Sequence, residues 1–126
     1  MRVLLDTHTL LFAVSRVSEL PPRVRALLED GATEAFVSAA STWEIAIKVR
    51  LGKLEVDVPE LFEEIKSLGF GELRISFEHT RRVGELPPLH RDPFDRLLVA
   101  QALEEGLTLV TRDPALSQYP APTLWA

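Results

Sequence analysis

Met1-Arg2-Val3-Leu4-Leu5-Asp6-Thr7-His8-Thr9-Leu10-Leu11-Phe12-Ala13-Val14 opens the chain, and the reading of this stretch decides the fold. Residues 2–5 form an apolar run of strand length that ends on Asp6, after which Leu10, Leu11 and Val14 recur at helical spacing. A short buried strand running straight into a helix is the opening unit of an α/β domain. The alternation continues outward from there. Pro22 to Asp30 predicts a helix with proline at its first position and Gly31 as its stop. Ala35 to Ser38 predicts a second strand. Ser41 then starts a helix with Trp43, Ala46, Ile47 and Leu51 on one face, ending at Gly52. Pro59 starts another, turning Leu61, Phe62, Ile65 and Leu68 inward before Gly69. Residues 73–76 predict a third strand, and Phe77 to Leu86 a helix that Pro87-Pro88 closes. The strongest helix spans Pro93 to Glu105 and stops at Gly106; Leu107 to Val110 predicts a fourth strand, and residues 123–125 a fifth at the sheet edge. Short apolar strands alternating with helices predict a parallel sheet covered on both faces.

Composition bounds what such a domain does. The chain has 126 residues, enough for one domain with a proper core, and 46% hydrophobic against 26% charged residues excludes a disordered or fibrous chain. The longest unbroken apolar run, Leu10 to Val14, is too short for a membrane span or the core of a secretory signal, so a cytoplasmic location is expected. There is no cysteine, hence no disulfide and no thiolate metal site, and any metal falls to carboxylates or the three histidines. A net charge of −5 argues against a general nucleic-acid coat protein without excluding local phosphate contacts. Glu55 to Lys66 carries five acids against one lysine and reads as a solvated helix face.

In open parallel sheets ligands sit beyond the carboxyl ends of the strands, which directs attention to the residues there. Asp6 ends the first strand, Glu44 lies in the helix after the second, and Asp113 closes the Thr111-Arg112-Asp113 that follows the fourth. Asp95 lies in the first turn of the helix that precedes strand four. Each has a local explanation. Asp6 and Asp113 read as helix caps, Ser41-Thr42-Trp43-Glu44 is a capping-box pattern, and Asp92-Pro93-Phe94-Asp95 reads as a cap, a first-position proline and a dipole-favoured acid. Capping, however, requires no common location. Four carboxylates on one edge repel one another unless protonated or bridged by cations, and an all-oxygen cluster suits Mg²⁺ or Mn²⁺. Such an ion fits phosphodiester hydrolysis. Thr7 and Thr111 carry hydroxyls next to these acids and can orient carboxylates without touching the ion, or simply satisfy local backbone.

Four blocks carry a resemblance. Met-Arg-Val-Leu-Leu-Asp-Thr-His (1–8), Val-Ser-Ala-Ala-Ser-Thr-Trp-Glu-Ile-Ala-Ile-Lys (37–48), His-Arg-Asp-Pro-Phe-Asp-Arg-Leu-Leu-Val-Ala-Gln-Ala (90–102) and Leu-Val-Thr-Arg-Asp (109–113) resemble, in order, the PIN-domain ribonucleases, specifically the VapC-like toxins of toxin–antitoxin pairs. The resemblance implies a single PIN domain over residues 1–126, a three-layer α/β/α fold with a parallel sheet of four to five strands, and Mg²⁺- or Mn²⁺-dependent endonucleolytic cleavage of RNA. It also implies homodimers and inhibition by a cognate antitoxin. By position, Asp6, Glu44, Asp95 and Asp113 match the family's four metal-binding acids, and Thr111 its hydroxyl residue two before the last acid. Asp92 lies in the matching block outside that quartet and is left as a cap or loop ligand.

Lys48, Arg91, Arg96 and Arg112 lie beside these acids and are candidates to grip RNA phosphates. Lys48 with Glu44 is equally an i,i+4 helix pair, and the arginines equally balance local charge. His90 reads as a solvated loop residue, and His8 and His79 as structural or exposed ones. Trp43 and Phe94 read as core packing by their spacing, with base stacking as the alternative. Other classes remain to be weighed. A phospho-accepting receiver domain would need a lysine near the last strands, and none follows Lys66; an aspartyl phosphatase would need an acid where His8 stands. A catalytically silent binding module, with the acids only as caps, is separated from a nuclease by metal dependence.

Overall fold

The computed structural model describes residues 1–126 and places five strands in one all-parallel sheet, in the order β3-β2-β1-β4-β5. β1 is Arg2–Leu5, β2 Glu34–Ser38, β3 Gly71–Leu73, β4 Thr108–Thr111 and β5 Thr123–Trp125. Six helices connect them: α1 Thr7–Ser15, α2 Pro22–Glu29, α3 Ala39–Arg50, α4 Val58–Ser67, α5 Phe77–Glu85 and α6 Pro93–Glu105. β1 is central because it is apolar on both faces, and the pleat sends alternate residues to opposite sides. Leu4 joins Leu98, Val99, Ala102 and Leu109 in a core beneath α6. Val3 and Leu5 join Ala13, Val24 and Val110 in a second core beneath α1 and α2. Leu10, Val37, Ile45 and Leu61 continue that side under α3 and α4. The result is helices, sheet and helices in three layers. No helix is long and apolar enough to cross a membrane.

Three local differences from the sequence reading matter for the site. α3 begins at Ala39, not Ser41, because the Ser38 hydroxyl accepts the Ala40 N–H and caps the helix there. The Ser41–Glu44 capping box therefore does not form, and Glu44 is released from capping. The inward face of α3 is also different: Ala40, Ser41, Glu44 and Ile45 are buried, while Trp43 is 57% and Leu51 62% exposed. Lastly, β3 lies at 71–73 and not at 73–76. Gly71 crosses the ring of Phe36 so closely that a Cβ there would sit 3.0 Å from it, which makes glycine the residue for that crossing. The chain leaves the sheet at Arg74 because Ser76 is taken as the cap of α5, paired reciprocally with His79. In α4, Leu61 is buried as expected, whereas Phe62 and, at the helix's C-terminal cap, Leu68 are exposed.

Candidate functional site

The end of β1, the turn after β4, α3 and the start of α6 enclose a small polar pocket of about 120 Å³. Asp6, Thr7, His8, Glu44, Lys48, Asp92, Asp95 and Asp113 line it, with no hydrophobic side chain among them. All four acids singled out in the sequence thus face one space. Asp95, Asp113 and His90 are drawn tightest, each offering a ligand-type atom within 4.8 Å of the others; Asp6 and Glu44 line the same pocket outside that group.

The capping and clustering readings turn out to be compatible, because a carboxylate has two oxygens. Asp6 Oδ1 accepts the Thr9 N–H at 2.8 Å and starts α1, and no hydrogen bond reaches its other oxygen. Asp113 Oδ1 accepts the Ala115 N–H, while its Oδ2 lies 2.9 Å from His90 Nε2. Asp92 Oδ1 caps α6 through the N–H groups of Phe94 and Asp95. Glu44, 5% exposed, caps nothing: its Oε1 accepts the Thr7 hydroxyl at 2.7 Å and its Oε2 meets Lys48 Nζ at 2.8 Å. The Thr7 oxygen in turn lies 3.1 Å from the hydroxyl of Ser41, a buried neighbour that can donate to it and that the sequence reading does not single out. Thr111, 1% exposed, accepts the Asp113 N–H and fixes the turn after β4.

Electrostatics separate the acids. Burial, joined by the negative charges of Asp92, Glu44 and Asp6, pushes Asp95 up to about 7 against the opposing pull of His90. Partial burial acts on Asp113 in the same sense, but the His90 and Ala115 hydrogen bonds outweigh it and hold this carboxyl below its ordinary range. The hydrogen bond to Glu44 raises Lys48. A pocket of carboxylates with one of them protonated near neutral pH is short of positive charge, and its donor set is oxygen.

The basic candidates have diverse surroundings. Arg96 donates to the carbonyls of Pro87 and Val83 and to the Tyr119 hydroxyl. Arg112 lies 4.6 Å over the ring of Phe12 and donates to Ala126 and Glu19 carbonyls. Lys48 is paired with Glu44 at the pocket wall. Arg91 is exposed and forms no hydrogen bond or ion pair within the chain. Of the two aromatics, Phe94 packs partly buried against the core as expected, whereas Trp43 is exposed and meets it edge-on at 5.2 Å between centroids. His90 is no solvated loop residue, being engaged through both ring nitrogens at the pocket. Its sequence signal was the tight His90-x-Asp92 spacing in front of a helix cap. His8, read as structural or exposed, lines the pocket rim, two residues beyond Asp6. His79 is buried beneath α6.

A family model described as PIN domain matches residues 3–122. Ribonuclease VapC22 of Mycobacterium tuberculosis is 30% identical over 98% of both chains. Among solved structures, VapBC2 from Rickettsia felis bound to a DNA fragment from the promoter matches with a TM-score of 0.74 at 16% identity, covering 100% of this chain and 99% of that one. A toxin–antitoxin complex from Klebsiella pneumoniae matches with a TM-score of 0.64 at 17% identity, over 97% and 95% of the two chains.

Proposed function

The chain belongs to the PIN-domain family, and from that premise we propose that residues 1–126 form one such domain, a metal-dependent endoribonuclease acting as the toxin of a toxin–antitoxin pair. The observation that carries this reading is the convergence of Asp6, Glu44, Asp95 and Asp113 on a pocket without an apolar wall. The relative named as a ribonuclease and the solved toxin–antitoxin complexes support the substrate class and the protein partner. A cytoplasmic location and a homodimer belong to the same reading.

The residues fit a divalent cation. The donors are oxygens, burial and neighbouring negative charges disfavour the ionised form of Asp95, and Mg²⁺ or Mn²⁺ is the ion such a set selects. Asp6, Glu44, Asp95 and Asp113 would hold it. When bound, such an ion neutralises charge at the scissile phosphate and makes a nucleophile of water at neutral pH. The protein's contribution is to fix the carboxylates beforehand. Thr7 holds one Glu44 oxygen and Lys48 the other; the Thr9 N–H holds Asp6; Thr111 and Ala115 hold the turn of Asp113. Arg91, exposed and next in sequence to Asp92 of the pocket, would meet a phosphate of the strand.

The test compares wild type with Asp6→Asn, using purified RNA with Mg²⁺ or with EDTA, and sequencing RNA ends after induction in cells. Cleavage that needs both the metal and Asp6 is the expected result. Equal cleavage by wild type and variant, or cleavage undiminished in EDTA, overturns the reading.

A further inference from the structure

We infer that His90 is a positioning residue of the pocket, holding Asp95 and Asp113 through one ring N–H while standing outside the set of atoms a cation would bind. This rests on the metal-dependent reading above. Distance alone permits the opposite assignment, since His90, Asp95 and Asp113 have the mutual spacing of ligands to a single ion. The hydrogen bonds decide between them. His90 Nδ1 accepts the backbone N–H of Asp92 at 3.0 Å, and an imidazole nitrogen that accepts a hydrogen bond carries no proton. The ring proton is therefore on Nε2. That nitrogen lies 2.9 Å from Asp113 Oδ2 and 3.3 Å from Asp95 Oδ2, so it donates to the two acids. To bind a cation, Nε2 would have to give up its proton while Nδ1 still faced a donor. Ligating histidines instead keep a proton on the second nitrogen and donate it to a carboxylate, carbonyl or water. Here the second nitrogen faces an N–H.

The ring is also anchored from behind. The His90 N–H donates to the hydroxyl of Tyr119 at 2.9 Å, and Tyr119 is 3% exposed. Arg96 donates to the same hydroxyl at 3.2 Å and ties the Pro87 and Val83 carbonyls to it. Residues 87–92 are thereby pinned to the body of the fold, and the arginine of the Asp95-Arg96 pair serves as their clamp. Asp92 links the two parts of the device. Its side chain starts the helix that bears Asp95, while its N–H fixes the tautomer of the ring that holds Asp95.

Two isosteres separate the roles. In His90→Gln the amide N–H₂ reaches the place of Nε2, whereas in His90→Asn the amide stops at the place of Nδ1. Mn²⁺ is titrated into the full chain and free ion is read by electron paramagnetic resonance. Nitrogen coupling to the bound ion is read by its pulsed form, and melting in EDTA checks folding. Mn²⁺ affinity is expected to fall about 10–100-fold in His90→Asn and to stay within about threefold in His90→Gln, with the same nitrogen spectrum in wild type and His90→Asn. Nitrogen coupling present in wild type and lost in His90→Asn makes His90 a ligand and overturns the inference. Unchanged affinity in a folded His90→Asn, or an equal loss in both variants, overturns it too. A wild type that binds no Mn²⁺ overturns the metal-dependent reading itself, and is distinguished because no ion is then taken up by any of the three proteins.

Discussion

The two walls of the carboxylate pocket are built on different terms. On the wall made by the end of β1 and by α3, each charge has a partner within the fold: Asp6 has the Thr9 N–H, and Glu44 has Thr7 and Lys48. Asp95 on the opposite wall has one side chain within ion-pair distance, His90 at 3.3 Å, with Lys48 acting from farther off, while burial and the charges of Asp92, Glu44 and Asp6 weigh against its ionised form. The first wall is therefore stable as it stands, while the second carries an acid whose charge is costly until a cation arrives. The difference locates the demand for metal at Asp95 and not evenly over the quartet.

The largest effect should come from substituting across that divide. Asp95→Asn is expected to lower Mg²⁺-dependent RNA cleavage by more than the roughly 10–100-fold that partners beyond the metal's own ligands cost. In EDTA at pH 8 the same variant should melt above wild type, because a repelled charge is gone. Asp6→Asn should abolish cleavage as well, yet leave melting in EDTA nearly unchanged, since asparagine caps a helix about as well as aspartate. Equal stabilisation by the two substitutions would erase the distinction between the walls.

Next in size is the pH dependence that Asp95 imposes on the metal-free protein. Its native value of about 7 lies above the ordinary 3.8, so between these limits the native state binds more protons than the unfolded chain. Stability contributed by this group therefore falls as pH rises from about 4 to 7, and above about 7 the penalty is complete. It is at most about 4 kcal/mol, less after solvent screening. Melting in EDTA at pH 5.5 and 8 should show this loss in wild type and not in Asp95→Asn. Mg²⁺ affinity should likewise weaken below pH 7, where the proton competes with the ion. Parallel pH profiles for the two proteins would show that Asp95 is not the acid under strain.

The legibility of the chain divides along similar lines. α6 and its Gly106 stop, β1 and the edge strand β5 follow the sequence reading closely, because there apolar periodicity and turn chemistry agree. α3 departs from the expected orientation because apolar periodicity predicts that apolar side chains face inward. The helix buries Ser41 and Glu44 toward the pocket and leaves Trp43 outside. A functional site is where that assumption fails. β3 shifted since the pull of the Ser76 cap and the passage of Gly71 over Phe36 depend on contacts between elements. Asp6, Glu44 and Asp113 are legible because the ends of their strands are countable in sequence, whereas Asp95 follows no strand and its place beside them is implied by the resemblance. His90 is not legible, because its role depends on Asp113, a residue 23 positions away.

A smaller effect tests the compensated wall. Lys48 is half-exposed, and its ion pair with the buried Glu44 is the chief counterweight there. Lys48→Met is expected to cost about 1–2 kcal/mol in EDTA, below the full penalty of orphaning a buried charge because water reaches the lysine. Cleavage in saturating Mg²⁺ should fall by no more than about 10–100-fold, as for the outer partner of one carboxylate. Loss of cleavage with Mn²⁺ binding and stability intact would instead make Lys48 a phosphate contact.

The smallest expected effect concerns the rim outside both walls. Arg96 and Arg112 spend their guanidinium groups on carbonyls, a tyrosine hydroxyl and an aromatic face, whereas Arg91 is exposed without a partner in the chain. Arg91→Ala should leave melting unchanged and reduce the salt dependence of RNA binding by about one counterion, weakening affinity across sequences alike. Binding is measured with Asp6→Asn as the background, so that RNA is not consumed. The matching substitution at Arg96 should do the reverse, lowering stability by freeing residues 87–92 while leaving the salt slope in place. If Arg96→Ala changes the slope and Arg91→Ala does not, the phosphate path runs over α6 instead of over the loop before it.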